Sequence, residues 1–519
     1  MKRKIELIFA GALALVIALS AINFKANKPS EIKAPWTMAK FNSQQIKWES
    51  CYDSFQCGSF LVPIDYQNLK MGTFRLQALR HQALNKKARI GSILVNPGGP
   101  GGSSYDFAMS ASSIVSDAIN EKFDVIGFDG RGIGESEPIR CLSDKEEDNF
   151  INVDGDATSP EQVEKVKSIA QSFAEKCAAK AGIKLGHLST FETAKDMEIL
   201  RNILREPKLN FLGKSYGTYL GAIYISLFPE KVGRFVLDGA VDPNISIRDQ
   251  SLNQAVGFEK SLDSYLAFSK KFTKSEIQKF IENSGSNPLK NKSGRALSRS
   301  LLVTALAASL YDNVLGWRNL DVGLTNAIHK GDPDRLLTIA DEYNNRDVNG
   351  HYFNNQNDIG IAINCLDWKT RNSFEEITAD AENFIKASET FGKYIAYSSL
   401  PCTYWKAPPL QPNLPFESVK SSPFLIIGVT KDPATPYVWS QNLANEFPNS
   451  TLLTLNGEGH TGHNRQFIAH VDLLVLQHLH NIAGEAIHRG NRCIDSKVDA
   501  YFLTGKVPEP GISCGSGGN

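Results

Sequence analysis

The sequence predicts an α/β fold: a mostly parallel, doubly wound sheet with an inserted helical cap. Three observations predict it. Strand and helix patterns alternate from residue 91 to 237, a helix-rich block without buried-strand patterning occupies 250 to 400, and strand patterning resumes at 423. Alternation of this kind needs crossover connections, so successive strands run parallel with helices on both faces. The C-terminal piece holds too few strands for a sheet of its own, which makes the middle block an insertion. The chain thus divides into 1–24, a signal peptide or N-terminal anchor, then 45–246 and 401–519, the two halves of the core, with 247–400 as the cap.

The 519 residues include 56 Lys+Arg against 56 Asp+Glu, and 42% are apolar. Those values exclude a disordered chain, a collagen-like repeat and a polytopic membrane protein. Balanced charge gives no electrostatic reason to expect nucleic acid as a partner. Lys2, Arg3 and Lys4 precede an uncharged apolar run from Leu7 to Ala21, with Ala18, Ser20 and Ala21 as small residues for cleavage. A basic stretch followed by such a run is the pattern of a secretory signal. Stretched to Phe24, the same run approaches the length of an uncleaved anchor, the one route by which a membrane enters. Cys51, Cys57, Cys141, Cys177, Cys365, Cys402, Cys493 and Cys514 follow, with no CxxC pair. An even count behind an export signal favours disulfides over metal ligands. Neighbour pairing, 51–57, 141–177, 365–402 and 493–514, closes only short loops and is the expected connectivity.

Taken in order, Gly91–Val95 is a short β-rich run ending at a glycine cluster, and Phe123–Phe128 is a second, stopped by Asp129-Gly-Arg-Gly132. Pro160–Ala181 and Thr193–Leu204 carry helical periodicity. Leu209–Leu212 reads as a strand, Thr218–Leu227 as a helix after a tight turn, and Arg234–Leu237 as the next strand. In the cap, Phe258–Ile281 and Leu301–Val314 have amphipathic helical patterns, and Pro423–Ile427 and Thr451–Leu455 return to strand.

Chemistry concentrates at strand ends. Gly213-Lys-Ser215-Tyr-Gly217 lies between a strand and a helix, the context in which G-x-S-x-G forms a sharp turn presenting the serine. A serine nucleophile needs a base, and the base an orienting acid. Asp432 in Thr430–Pro436 and His460 in Gly457–Thr461 each stand just past a C-terminal strand, in the chain order serine, acid, histidine. His463 competes with His460, and Asp238 and Asp242 are the alternative acids. Flanking glycines favour His460 as the loop-tip residue. Acyl transfer also needs donors aimed at an oxyanion. The N–H of Tyr216 supplies one, and the loop Asn96-Pro-Gly-Gly-Pro-Gly-Gly102 the other, with Gly99 chosen though Gly98 and Gly101 are not separable from it.

Together NPGGPGGSS (96–104), FDGRGIGES (128–136), GKSYGTYLG (213–221) with FPEKVGRFVLDGAVDP (228–243), TKDPATP (430–436) and GEGHT (457–461) resemble the tripeptidyl-aminopeptidase-like branch of the α/β-hydrolases, relatives of prolyl iminopeptidases. The resemblance spans Cys51 to Cys514 and includes INCLDW at 363–368. Asn96 departs from the His of the prolyl iminopeptidase loop, as is usual in the tripeptidyl branch. The resemblance implies a secreted or cell-surface serine hydrolase that cleaves short peptides from free N-termini. Members acting as esterases belong to the same branch, so a carboxylesterase with the same Ser215, His460 and Asp432 is the alternative. A third possibility is a binding protein on an inactive fold, against which every catalytic position is filled. An exopeptidase needs a group for the substrate's ammonium, and Asp367 is the candidate. An esterase needs none. No metal or organic cofactor is implied, the His478-Leu-His480 pair reading as a surface helix feature. Tyr311, Trp317, Trp368 and Trp405 either line the pocket or form the cap's core.

Overall fold

A computed structural model describes residues 36–52, 54–156, 159–410, 414, 416–463 and 491–515. The N-terminal segment 1–24 and the His478/His480 pair lie outside the described residues. The sheet has ten strands: β1 (Glu49–Cys51), β2 (Phe55–Pro63), β3 (Thr73–His81), β4 (Gly91–Asn96), β5 (Phe123–Phe128), β6 (Leu209–Lys214), β7 (Val232–Asp238), β8 (Phe424–Lys431), β9 (Ser450–Glu458) and β10 (Ser513–Cys514), in the order β1-β2-β3-β5-β4-β6-β7-β8-β9-β10. Pairing is parallel from β5 through to β10. β1, β2 and β3 add an antiparallel edge that meets the parallel part at β3 and β5.

The central strands are buried on both faces, as parallel strands covered by helices must be. All six residues of β5 are buried, and so are the first five of β4. One face packs Phe60, Leu94, Phe211 and Phe235 against the Thr190–Ile203 and Tyr216–Leu227 helices. The other packs Ile93, Val125, Val236 and Ile427 against the Arg492–Thr504 helix and the short helices after β4. Parallel pairing sends the C-terminal ends of β4, β6, β7, β8 and β9 to one edge of the sheet. Crevices outside those ends are where ligands bind in open α/β sheets.

Between β7 and β8 run the helices Ile247–Ser269, Lys274–Ser286, Arg299–Leu310, Gly316–Lys330 and Asp334–Tyr343, which share a cluster around Leu262, Leu301, Leu306, Leu320 and Leu336. The helix expected over Phe258–Ile281 is two. Lys270 takes a left-handed conformation at φ 55°, and Thr273 with Glu276 forms a capping box that starts the second helix. The following Gln356–Asp367 helix belongs with the main core instead: Ile359, Ile363 and Leu366 join Phe191 and Tyr219. The four disulfides are Cys51–Cys57, Cys141–Cys177, Cys365–Cys402 and Cys493–Cys514, the expected neighbour pairing.

Candidate active site

Ser215 stands between β6 and the Tyr216–Leu227 helix with φ 54° and ψ −125°. A positive φ at a non-glycine residue stores strain and persists only where the surroundings over-determine it. Here they do. A Cβ on Gly213 would stand 2.4 Å from the carbonyl oxygen of Gly217, and one on Gly217 would stand 2.6 Å from Asn96 Oδ1. The Ser215 N–H donates to the carbonyl of Asp238 at 2.9 Å, tying the turn to the end of β7. The helix opening at Tyr216 aims its N-terminal N–H groups at the serine, an environment that favours negative charge.

His460 and Asp432 meet beside this turn. Asp432 Oδ1 and Oδ2 both lie 2.9 Å from His460 Nδ1. The carboxylate accepts four further bonds, three of them from Ala434 N (2.9 Å), Thr435 N (2.8 Å) and Thr435 Oγ1 (2.9 Å). Thr461 N donates to it at 3.2 Å. The imidazole is therefore held by a buried, fully engaged acid, 3% exposed. From the helical block, the Tyr311 carbonyl accepts the His460 N–H at 2.8 Å and the Tyr311 ring stands edge-on to the imidazole, centroids 5.2 Å apart. Gly239 closes the gap to Ser215: a Cβ there would lie 3.4 Å from His460 Cε1, and the preceding carbonyl is the one bonded to the serine N–H.

The competing residues are otherwise engaged. The carboxylate of Asp238 accepts the N–H groups of Gly462 and His463 at 2.7 and 3.0 Å. Asp242 accepts from Asn244 N and Asn442 Nδ2. In the loop after β4, Gly98 donates its N–H to Asn96 Oδ1 at 3.0 Å, while Gly99 lines a small cavity with Ser215, Tyr216, Gln250, Asp367 and Trp368. Gly101 packs against Ile359 and the Gln356 carbonyl.

Asp367, 2% exposed at the end of its helix, accepts Thr190 N at 2.9 Å and Thr190 Oγ1 at 2.5 Å. Thr190 Oγ1 also contacts the Tyr216 hydroxyl, so the acid reaches the residue after the serine through one bridging group. Burial pushes the Asp367 carboxyl up to about 7, against the pull of the Thr190 bonds. Trp368 lines the cavity and stacks on Tyr219, whereas Trp317 and Trp405 are core residues.

A family model described as the alpha/beta hydrolase fold matches residues 91–464. The chain belongs to the α/β-hydrolase family. A second model, described as TAP-like protein, matches residues 475–514 of this hydrolase. Serine protease Hip1 of Mycobacterium tuberculosis is 31% identical to it over 503 residues, covering 92% of this chain and 90% of the other. Carboxylesterase B of the same organism is 30% identical over 497 residues, covering 91% and 90%. Tripeptidyl aminopeptidase of Streptomyces lividans is 29% identical over 499 residues, covering 90% and 86%.

Several residues of the hydrolase's site carry no signal in the sequence. Thr190 meets Asp367 across 177 positions, and Tyr311 meets His460 from the end of the Arg299–Leu310 helix. Thr435 stands in the TKDPATP motif only three residues after Asp432, and its hydroxyl donates to that carboxylate.

Proposed function

We propose that the chain is an exported serine exopeptidase that releases short peptides, tripeptides foremost, from free N-termini. Ser215 Oγ attacks the scissile carbonyl, His460 Nε2 takes its proton and returns it to the leaving amine, and Asp432 holds the Nδ1–H tautomer. The Gly99 and Tyr216 N–H groups receive the developing oxyanion. Gly99 is preferred to Gly98 because the Gly98 N–H is committed to Asn96. An acyl-enzyme forms and water releases it. The observation that carries the reading is the Asp432–His460 pair set against a serine on a strained turn at a helix N-terminus.

Asp367 is assigned to the substrate's α-ammonium. It shares the cavity with Ser215, and each of its oxygens keeps a second lone pair beyond the Thr190 bond. The relatives named serine protease and tripeptidyl aminopeptidase support a peptide substrate. Export is supported by the basic and apolar N-terminal pattern and by four disulfides, which persist in oxidising compartments.

The test is hydrolysis of a free-amine tripeptide anilide, its N-acetylated twin and a short nitrophenyl ester by the purified mature chain, beside Ser215→Ala. Turnover of the free-amine anilide, lost on acetylation and absent in S215A, is the expected result. Turnover of the ester alone moves the assignment to a carboxylesterase, the activity named for one relative. Full activity in S215A sinks the assignment of the nucleophile.

A further inference from the structure

The loop carrying His460 takes positive φ on both sides of the histidine, and at Thr461 that conformation is strained. Gly459 has φ 96° and Thr461 φ 64°. A β-branched residue in the left-handed region is a genuine outlier. Three consecutive N–H groups hold the loop in that shape, and all of them end on carboxylates: Thr461 N on Asp432 Oδ2 (3.2 Å), Gly462 N on Asp238 Oδ1 (2.7 Å) and His463 N on Asp238 Oδ2 (3.0 Å). Asp432 already serves the imidazole, so two of the three depend on Asp238.

Asp238 also grips the nucleophile, since its own carbonyl accepts the Ser215 N–H at 2.9 Å. Its counterion comes from the residue before the serine. Lys214 Nζ lies 3.7 Å from Asp238 Oδ2 and donates to the His463 carbonyl at 2.5 Å. Lys214 is 1% and Asp238 0% exposed. A fully buried ion pair is weak evidence of stabilisation, because hydrophobic residues of similar volume serve stability as well or better. The pair spans the two loops whose relative position sets the distance between Ser215 and His460, and that location gives it another use.

We propose that Asp238, with Lys214 as its counterion, is a positioning residue that locks the strained His460 loop to the backbone of the nucleophile. The proposal rests on Ser215, His460 and Asp432 being the catalytic groups. Asp238 touches neither substrate nor the transferred proton. Through the loop it sets where the imidazole stands relative to Ser215, and a misplacement of about 1 Å costs about 100-fold in rate.

Asp238→Asn offers one oxygen and one NH2 to two N–H donors, so one donor loses its acceptor while shape is kept. Lys214→Met/Asp238→Asn leaves no buried charge unpaired, and it also removes the Lys214 bond to the His463 carbonyl, a further part of the lock. On whichever of the anilide and the ester turns over, D238N is expected to lower kcat about 100-fold with KM within about twofold. The rate of inactivation by a fluorophosphonate should fall in parallel. The double variant should melt above D238N, its buried charge being gone, without recovering kcat. A D238N kcat within about threefold of wild type overturns the proposal, as does recovery of kcat together with melting temperature in the double variant. Should D238N fail to fold, the double variant alone decides by the same criterion. Ser215→Ala, run alongside, separates the two readings. Activity kept in S215A removes the nucleophile assignment, while a dead S215A with an active D238N removes only the positioning role.

Discussion

With Asp367 assigned to the substrate's ammonium as proposed, specificity turns on one buried carboxyl. Burial holds it up to about 7, so below that pH it is a neutral acid unable to pair with a cation. A peptide α-ammonium loses its proton at about pH 8. Attraction between the two is therefore confined to the window between those values. Each substrate shares the limb set by the catalytic groups, so the useful quantity is kcat/KM for the free-amine anilide divided by kcat/KM for the ester. That ratio should rise as pH passes through about 7 and fall beyond about 8. In Asp367→Asn it should be flat and lower by about 30-fold, the equivalent of about 2 kcal/mol for losing one partner of a buried charge pair. A ratio that is unchanged in D367N would return Asp367 to the bland role its Thr190 bonds also describe, that of capping the Thr190–Ile203 helix.

At the scale of elements, two connections carry the site, and each makes a prediction. Gly98 has φ 101°, and a Cβ there would stand 2.7 Å from the Lys214 carbonyl and 2.8 Å from Ser215 Cβ. Backbone cannot give as a flexible side chain can, so Gly98→Ala must displace the 96–102 loop, proposed to carry an oxyanion donor, or the serine turn. Its kcat is expected to fall about 100-fold with folding intact by circular dichroism. Cys365–Cys402 ties the helix bearing Asp367 to a segment 37 residues on. Replacing both cysteines by alanine should cost about 2–4 kcal/mol of stability in denaturant unfolding. It should also raise KM for the free-amine anilide more than for the ester, because Asp367 is two residues from the bridge. These same elements show what was legible in the sequence. Ser215, Asp432 and His460, the proposed catalytic groups, stand out in the sequence because each sits at a strand's end beside glycines or prolines, where composition and periodicity change together. β3 carries a legible signal too. Phe74, Leu76 and Ala78 are buried and alternate with partly exposed Thr73, Arg75 and Gln77, a period of two in plain sight. The helix break at Lys270 was marked as well, by the Thr273/Glu276 capping box. Nothing local marks the Lys214–Asp238 pair or the Thr190–Asp367 bond, which exist only once parallel register and helix packing bring distant positions together.

At the scale of the whole molecule, among the described residues, buried carboxyls outweigh the paired surface ones in setting how stability varies with pH. Burial pushes Asp129, Glu147 and Asp367 up to about 7 and Asp358 up to about 6. In the unfolded chain these groups titrate near about 4. Between those values the folded state binds more protons than the unfolded one, so stability falls as pH rises through the window. Hydrogen bonds from Arg248 hold Asp249 and Asp380 below their ordinary range, and their contribution has the opposite sign: it is present above about 4 and lost as pH falls through their lowered values. His81, pushed down by burial, also opposes the first group, losing stability as pH falls below about 6.5. One half-buried imidazole against four buried carboxyls leaves the balance with the acids. The melting temperature is therefore expected to be higher at about pH 5.5 than at about pH 8, and to turn down again below about pH 4. Asp367→Asn should flatten the alkaline slope by at most about 1.4 kcal/mol per pH unit, the weight of a single proton. Calorimetry across that range on the wild type and on D367N measures both. A melting temperature that climbs steadily from pH 5.5 to 8 would mean that water or substrate-site solvent reaches these carboxyls and lowers the cost of their charge.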